Sequence, residues 1–171
     1  MKRLSILAVA IVLAAGCGSK SPTAASNPNQ FKFTAALLPA NEVPPITNAE
    51  AGGRGTATVT MNVTKDAAGT VTAATFDFTV DVTGFPSNTP ITAAHIHPGA
   101  AGSNGGALVS MGLGAGEIVL VNGAQMITKT NLTGGTTAQA QDMINNPANW
   151  YFNIHSALNG GGVARGQLVK Q

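Results

Sequence analysis

A regular alternation of polar and apolar residues runs through the middle of the chain. Between Arg54 and Lys65, every second residue from Ala57 to Val63 is apolar, and the residues between them are threonine or asparagine. A turn-forming stretch follows at residues 66–70, and the alternation resumes from Phe76 to Val82. A period of two marks a strand with one buried face. The pattern therefore predicts two strands joined as a hairpin.

The rest of the chain continues in short strand-like segments. Seven more are predicted: Phe31–Leu38, Ile91–His97, Ala107–Met111, Glu117–Val121, Gln125–Asn131, Trp150–Ser156 and Val163–Val169. The dipeptide Asn122-Gly123 predicts a tight turn. A single helix is expected over about Thr137–Asn146, capped by Thr136 or Thr137 and ended by Pro147. Nine short strands and one short helix predict an all-β fold, a single Greek-key β-sandwich.

The first sixteen residues have a different pattern. A positive start, Met1-Lys-Arg3, precedes an apolar run from Leu4 to Ala15 that only Ser5 interrupts. This order is typical of a secretory signal, so we predict a signal peptide over residues 1–16. The apolar run is shorter than the roughly 20 residues that a membrane-spanning helix needs.

The end of this segment, Leu13-Ala-Ala-Gly-Cys17, resembles the lipobox of bacterial lipoproteins, in which the cysteine is lipidated after cleavage. The alternative is an ordinary signal peptide with a stray cysteine, but the lone Cys17 has no disulfide partner, which favours lipidation. Residues 17–30 are rich in Ser, Pro, Asn and Ala and predict a lipidated flexible tether before a domain over 31–171. The expected location is the bacterial cell envelope, anchored through Cys17 to a membrane at the outer membrane or cell surface.

Composition excludes several classes of protein. Charged residues make up only 9% of the chain, against 44% hydrophobic residues, which excludes a coiled coil or a highly charged disordered chain. Cleavage before Cys17 would remove Lys2 and Arg3, leaving seven basic side chains against seven acidic ones. A neutral surface has no electrostatic attraction for phosphate, so no nucleic-acid partner is expected.

Candidate chemistry is concentrated in the three histidines. In a strand, His95 and His97 lie on one face, because successive side chains alternate between faces. His155 belongs to a later strand, where it shares with Asn153 the face opposite the apolar one. Two imidazoles at this spacing on one face can share a metal ion.

The last two predicted strands extend this polar face. A hairpin turning near residues 158–162 would place Arg165 across from His155 and Gln167 across from Asn153, on the outer face of the sandwich. Arg165 is permanently charged and cannot ligate a metal; it can hold an anion or order a carboxylate such as Glu42. Prolines stiffen the loop after Glu42, which either points this acid toward the histidines or leaves it as a plain surface group.

Two interpretations of the histidines remain open. If the two histidine strands are neighbours, three neutral imidazoles converge on one copper or zinc ion and leave a position open for water or another ligand. Affinity alone favours copper over zinc. Alternatively, the histidines and Arg165 only form hydrogen bonds with loop carbonyls and carboxylates. In the metal interpretation, affinity weakens when the imidazoles protonate, below about pH 6.5.

Four ordered motifs resemble the CHRD domain, a module first defined in chordin and common in bacterial exported proteins. They are Phe33-Thr-Ala-Ala-Leu37 with Asn41-Glu-Val-Pro-Pro45, Ala94-His-Ile-His-Pro-Gly99 with Asn104-Gly105, Trp150-Tyr-Phe-Asn-Ile-His155, and Arg165-Gly-Gln-Leu168. The last motif departs from the family pattern at an acidic place, where Val163 or Ala164 stands. The resemblance spans about residues 31–169 and implies an extracellular β domain whose biochemical role is poorly defined.

A weaker similarity is to the copper/zinc superoxide dismutases, Greek-key sandwiches with a His-x-His pair on one strand and another histidine on a late strand. By position, it implies His95, His97 and His155 as copper-side ligands. This chain has only three histidines and one cysteine, so it lacks a zinc loop and a disulfide pair. At most one metal ion is expected, and dismutase activity is not implied.

Three functions are therefore considered. We favour a non-enzymatic, lipid-anchored CHRD module that binds a protein or small ligand, or a metal ion, at the cell surface. The second is a mononuclear metalloenzyme with superoxide dismutase character, or a copper-handling protein. The third is a structural envelope domain without a defined ligand.

Overall fold

A computed structural model describes residues 27–171 of the chain. The predicted signal peptide, Cys17 and most of the predicted tether lie outside the described residues. The described part of the chain contains ten strands: β1 Gln30–Leu37, β2 Arg54–Lys65, β3 Val71–Thr83, β4 Thr89–Pro98, β5 Val109–Ser110, β6 Ile118–Leu120, β7 Gln125–Leu132, β8 Trp150–Ser156, β9 Ala164–Gln167 and β10 Val169–Lys170. The helix α1 spans Thr137–Asn145, and short 3-10 turns span Pro39–Asn41 and Pro147–Asn149.

The strands form two antiparallel sheets that pack face to face, which confirms the predicted β-sandwich. The first sheet has the order β10-β1-β2-β3-β7, and the second has the order β5-β4-β8-β9, with β6 also paired to β4. The predicted hairpin is β2–β3, paired from Arg54↔Thr83 to Lys65↔Val71. The chain crosses between sheets after β3, β6, β7 and β9, as a Greek-key sandwich requires.

The hydrophobic core fills the space between the sheets. Alternate residues of β2 and β3, such as Val59 and Phe78, are buried there, as the period of two predicts. Across the core, the ring of Phe78 on β3 lies 5.8 Å from the ring of Phe152 on β8, measured between centroids. Burying one such large apolar side chain stabilises the fold by about 1.5–3 kcal/mol.

The end of the chain differs from the prediction. Val163–Val169 was expected to form one strand but forms two, β9 in the second sheet and β10 in the first. The break is at Leu168, whose side chain is buried and whose N–H donates to the carbonyl of Trp150. Because the Leu168 side chain enters the core at this point, the backbone turns there from the second sheet to the first. The predicted strand Ala107–Met111 is also shorter, limited to Val109–Ser110.

The helix agrees closely with its predicted bounds. The hydroxyl of Thr136 accepts a hydrogen bond from the N–H of Gln139, and the Gln139 side chain accepts one from the N–H of Thr136. This reciprocal pair is a capping box, which fixes the start of the helix. Within residues 27–171, no helix has the length and apolar character needed to cross a bilayer.

The outer face of the second sheet is covered by two segments. We call residues 38–53 the first cover loop and residues 98–106 the second cover loop. The first is attached to β9 by paired backbone hydrogen bonds between Leu38 and Arg165. Farther along, Glu50 accepts hydrogen bonds from Ser156 and Asn159. Side chains on this face are therefore buried beneath loops, although they point away from the core.

Candidate metal centre

The three histidines lie together on the covered face of the second sheet. His95 and His97 are on β4, and His155 is on β8, the strand directly paired with β4. Each ring offers one nitrogen, and these three nitrogens all lie within 4.8 Å of one another. The sequence left open whether the two histidine strands are neighbours, and the structure shows that they are.

Hydrogen bonds define which ring nitrogens are free to bind a metal. Nδ1 of His97 lies 3.0 Å from the carbonyl oxygen of Gly105, and Nδ1 of His155 lies 3.0 Å from that of Gly160. A carbonyl oxygen only accepts, so both Nδ1 atoms carry the proton and both Nε2 atoms keep a lone pair. This arrangement, in which the second ring nitrogen donates to a carbonyl, is typical of metal-binding histidines.

His95 completes the set through a contact with His155. Its Nδ1 lies 3.1 Å from Nε2 of His155. Because that Nε2 has no proton, Nδ1 of His95 is the donor when no metal is bound. Two nitrogens bound to one tetrahedral ion at about 2.0–2.1 Å would be separated by roughly 3.3 Å. The pair therefore already has nearly the spacing that a shared ion requires.

Burial keeps these imidazoles neutral. It lowers the pKa of His95 to about 4, with smaller lowering contributions from His155 and His97. Burial also lowers the pKa of His97 and of His155, although the Gly105 and Gly160 carbonyls act in the opposite direction. Neutral imidazole is the form that binds metals, so no net release of protons is needed at neutral pH; the proton on Nδ1 of His95 would shift to Nε2 of the same ring when Nδ1 binds the ion.

Tyr151 holds His97 in two ways. The two rings are stacked, with centroids 4.9 Å apart and planes 4° apart. The Tyr151 hydroxyl also accepts a hydrogen bond from the N–H of Gly105, whose carbonyl binds His97. Gly105 itself is required, since a Cβ there would lie 1.7 Å from the carbonyl oxygen of Pro98. Orientation of His97 thus depends on the second cover loop.

Arg165 connects the sheet to both cover loops. Its Nε donates to the carbonyl of Asn41, and its Nη1 donates to the carbonyl of Ser103 and the side-chain oxygen of Asn104. The guanidinium carbon lies 4.6 Å from the centroid of the Tyr151 ring, a cation–π contact. Since β8 lies between β4 and β9, His97 and Arg165 approach Tyr151 from opposite sides. Arg165 is only 2% exposed.

Glu42 is buried beside this arginine. It is 5% exposed, and its Oε2 lies 3.6 Å from Nε of Arg165. The interpretation of Glu42 as a plain surface acid is therefore wrong, and Arg165 does order this carboxylate. Burial raises the pKa of Glu42 to about 7, although Arg165 and Asn153 both lower it.

The other predicted residues occupy the same face with a different register. Asn153 pairs with Arg165, and Tyr151 pairs with Gln167, whereas the sequence predicted His155 opposite Arg165. The observed pairing is thus shifted by two residues from the predicted one. The shift arises at the hairpin loop, where Val163 donates its N–H to the carbonyl of Ile154 just before β9 begins. The Nε2 of Gln167 donates to the carbonyls of Gly99, Ala148 and Trp150, so Gln167 ties loops together at the edge of the patch.

Sequence reasoning missed the groups that support the histidines. These are the loop carbonyls of Gly105 and Gly160, the stacked ring of Tyr151, and the cover-loop atoms that bind Arg165. A signal was available only for Tyr151, which alternation places on the same face as Asn153 and His155. Backbone carbonyls in glycine-rich loops leave no such signal in the sequence.

Comparison with family models decides the classification. The model described as the CHRD domain matches residues 33–168, well over half of the chain. The chain belongs to the CHRD domain family. No curated protein and no solved structure matches it.

The four CHRD-like motifs meet at a single place in the fold. The first contributes Glu42, the second His95 and His97, and the third His155 on β8. The fourth supplies Arg165, which binds the loops of the first two motifs. The residues by which the sequence resembles this family are thus the residues that build the histidine cluster and its cover.

Proposed function

We propose that this CHRD protein is an exported, lipid-anchored surface module that binds one copper or zinc ion through His95, His97 and His155. The ion would lie on the covered face of the second sheet. There the loaded centre, with its cover loops, would present a binding surface to a protein or a small ligand. Signal-like residues 1–16 and the lipobox-like stretch ending at Cys17 support the location at the bacterial envelope.

One observation carries this proposal. Nε2 of His97 is buried, keeps its lone pair, and makes no hydrogen bond of normal distance and angle, although the Asn153 side chain lies beside this ring. A buried polar atom without a partner costs about 1–3 kcal/mol, and native structures rarely contain one. The nitrogens of His95 and His155 lie within 4.8 Å of the ligand nitrogen of this ring. A metal ion at this point would satisfy Nε2 of His97 and the other two rings together.

The ligand chemistry selects among metals. Three neutral imidazoles suit copper and zinc, whereas Mg²⁺ and Ca²⁺ prefer oxygen ligands. Copper binds more tightly than zinc to a given nitrogen site. We therefore expect one equivalent of either ion, with copper displacing zinc when both are supplied.

Equilibrium dialysis followed by elemental analysis tests the proposal. The chain carrying Cys17→Ser, without a histidine tag, has no thiol that would bind copper elsewhere. We expect one ion per chain, and its loss in His155→Gln. Glu117→Gln is the matched control, because it removes an exposed carboxylate that pairs with Lys129 and is not part of the histidine cluster, and it should leave the stoichiometry unchanged. Equal metal content in His155→Gln and in the parent chain would refute the proposal.

A further inference from the structure

Four buried polar atoms without a hydrogen-bond partner lie on the covered face. Within residues 27–171 they are Oε1 of Glu42, Nε2 of His97, Oδ1 of Asn153 and Nη2 of Arg165. Native proteins satisfy nearly all such atoms, with protein groups or with bound water and ions. Their concentration in one place points to a ligand that contacts several of them.

The side chains that carry these atoms are neighbours. Asn153 is the cross-strand partner of His95 on one side and of Arg165 on the other. Its amide nitrogen and both Glu42 carboxyl oxygens lie 2.6–2.9 Å from the point where a Cβ on Gly162 would be. Asn153, which also adjoins His97, is 2% exposed. Asn153 thus stands between the histidine cluster and the Glu42–Arg165 pair.

The four atoms have complementary chemistry. Nε2 of His97 offers a lone pair to a metal ion. The oxygens of Asn153 and Glu42 accept hydrogen bonds, whereas Nη2 of Arg165 only donates. A water molecule bound to a metal ion has two hydrogens to donate and a lone pair left to accept one hydrogen bond. Such a water would satisfy the three remaining atoms.

We propose that Asn153, Glu42 and Arg165 form an oxygen-ligand site next to the open coordination position of the metal, holding a water molecule; a small anion that displaces this water would bind through the metal and Arg165, against the acceptor oxygens of Glu42 and Asn153. This inference rests on the proposed metal function. In this arrangement the three residues surround the fourth coordination position of the metal, and the ligand at that position can be exchanged. A closed structural metal site would have no exchangeable ligand.

A cleft lies beside this site. It has a volume of about 340 Å³ and lies between residues 42–48 of the first cover loop and residues 159–162 of the β8–β9 loop. Glu42 and Gly162 are part of its wall, and a Cβ on Gly162 would meet the Asn153 amide. The absence of a side chain on Gly162 leaves room for the Glu42 carboxyl group and the Asn153 amide to lie side by side next to the cleft.

Azide binding to the copper-loaded chain tests the inference. Azide is a small anion that gives a charge-transfer absorption band when it binds Cu²⁺, so a titration yields its dissociation constant. We expect saturable binding of one azide per copper. At pH 8, above the raised pKa of Glu42, Glu42→Gln should tighten azide binding about tenfold, because it removes a negative charge and adds a donor. Asn153→Asp should weaken it by about the same factor, because it adds a negative charge.

Asp81→Asn is the matched control, since it changes the charge by one unit at an exposed position on the first sheet. Its azide affinity should equal that of the parent chain. Copper-loaded chain that shows no azide band, or Glu42→Gln and Asn153→Asp variants whose affinities differ from the parent no more than the control does, would overturn the inference. Chain that fails to retain copper in the preceding dialysis would instead refute the proposed metal function.

Discussion

Nδ1 of His95 lies 3.1 Å from Nε2 of His155, across the boundary between strands β4 and β8. The residues are 60 positions apart in the chain, and the antiparallel pairing of β4 with β8 makes them diagonal neighbours, because His95 pairs with Asn153 and Ala93 with His155. Backbone pairing thus places all three candidate ligands on adjacent strands. Loop carbonyls then orient two of the rings: Gly160 orients His155, and Gly105, together with the stacked Tyr151 ring, orients His97.

The first prediction concerns Tyr151, which stacks on His97 and binds Gly105. Tyr151→Phe keeps the stacked ring but removes the hydroxyl, and Tyr151→Leu removes both supports. Groups that orient a metal ligand typically contribute 10- to 100-fold to metal affinity. We expect Tyr151→Leu to weaken copper binding within that range and Tyr151→Phe to weaken it less. Competition with a chelator of known affinity measures both, and an unchanged affinity in Tyr151→Leu would show that the stack does not position His97.

The second prediction uses two adjacent glycines. Gly162 has φ of 132°, and a Cβ there would lie 2.6 Å from the Asn153 amide nitrogen. Gly161 has open space around its Cβ position and no such φ. Gly162→Ala should therefore destabilise the fold by about 1–3 kcal/mol, whereas Gly161→Ala should change it by less than about 0.5 kcal/mol. Urea unfolding of both variants gives the comparison, and equal stabilities would mean that the Glu42–Asn153 contact is not closely packed.

The third prediction concerns the pH dependence of stability without metal. His95 has a pKa of about 4 in the folded chain and about 6.5 when unfolded, and the pKa values of His97 and His155 are also lowered. The unfolded chain thus takes up protons first as pH falls. The stability associated with these neutral rings is complete above about 6.5 and is lost as pH falls toward 4.

Glu42 opposes this trend. Its pKa is raised from 4.5 to about 7, so its contribution is present at low pH and is lost as pH rises through 7. The shifts of His95 and Glu42 are similar in size and opposite in effect, so the lowered pKa values of His97 and His155 decide the balance, and we expect the free energy of unfolding to rise between pH 4.5 and 6.5. Glu42→Gln should make that rise steeper. Urea unfolding at several pH values, with chelator present, measures this rise. A free energy of unfolding that stays constant or falls with rising pH in Glu42→Gln would contradict the lowered histidine pKa values.

These pKa shifts also change the expected response of metal binding to acid. The free imidazole pKa predicted a loss of affinity below about pH 6.5. Protons compete with a metal for His95 only near its lowered pKa of about 4. Copper bound at this centre should therefore be retained at pH 6 and released closer to pH 4.

The fourth prediction concerns membrane anchoring. If Cys17 carries the lipid, then Cys17→Ser removes the attachment that acyl chains provide, and the chain should move from the membrane fraction to the soluble fraction. Ser19→Ala is a suitable control, because it alters the same segment and keeps the cysteine. A Cys17→Ser chain that still sediments with membranes would disprove the lipid anchor.

The sequence predicted the fold where alternation was strong. Strands β2 and β3 were predicted as a hairpin because apolar and polar residues alternate along both, and burial on one face enforces the register. The break at Leu168 was not predictable, since an alternating segment shows which residues are buried but not that the backbone changes sheet. The predicted β8–β9 register was wrong by two residues, because the sequence of a glycine-rich loop carries no periodic pattern that predicts its conformation.

The candidate site was predictable to a similar extent. Period two placed His95 and His97 on one face, and placed Asn153 with His155 on another strand. Strand order, which brings β4 beside β8, required the structure. Sequence also left Glu42 undecided, because burial beneath a loop depends on tertiary contacts such as the one with Arg165.

X-ray absorption spectroscopy of the copper-loaded Cys17→Ser chain tests the central claim most directly, because it counts the imidazole ligands on the ion. Three imidazoles at about 2.0 Å are expected in the parent chain. Two should remain in His97→Gln, with weaker binding. A spectrum with fewer than three imidazoles in the parent chain, or one that His97→Gln leaves unchanged, would contradict a metal centre formed by His95, His97 and His155.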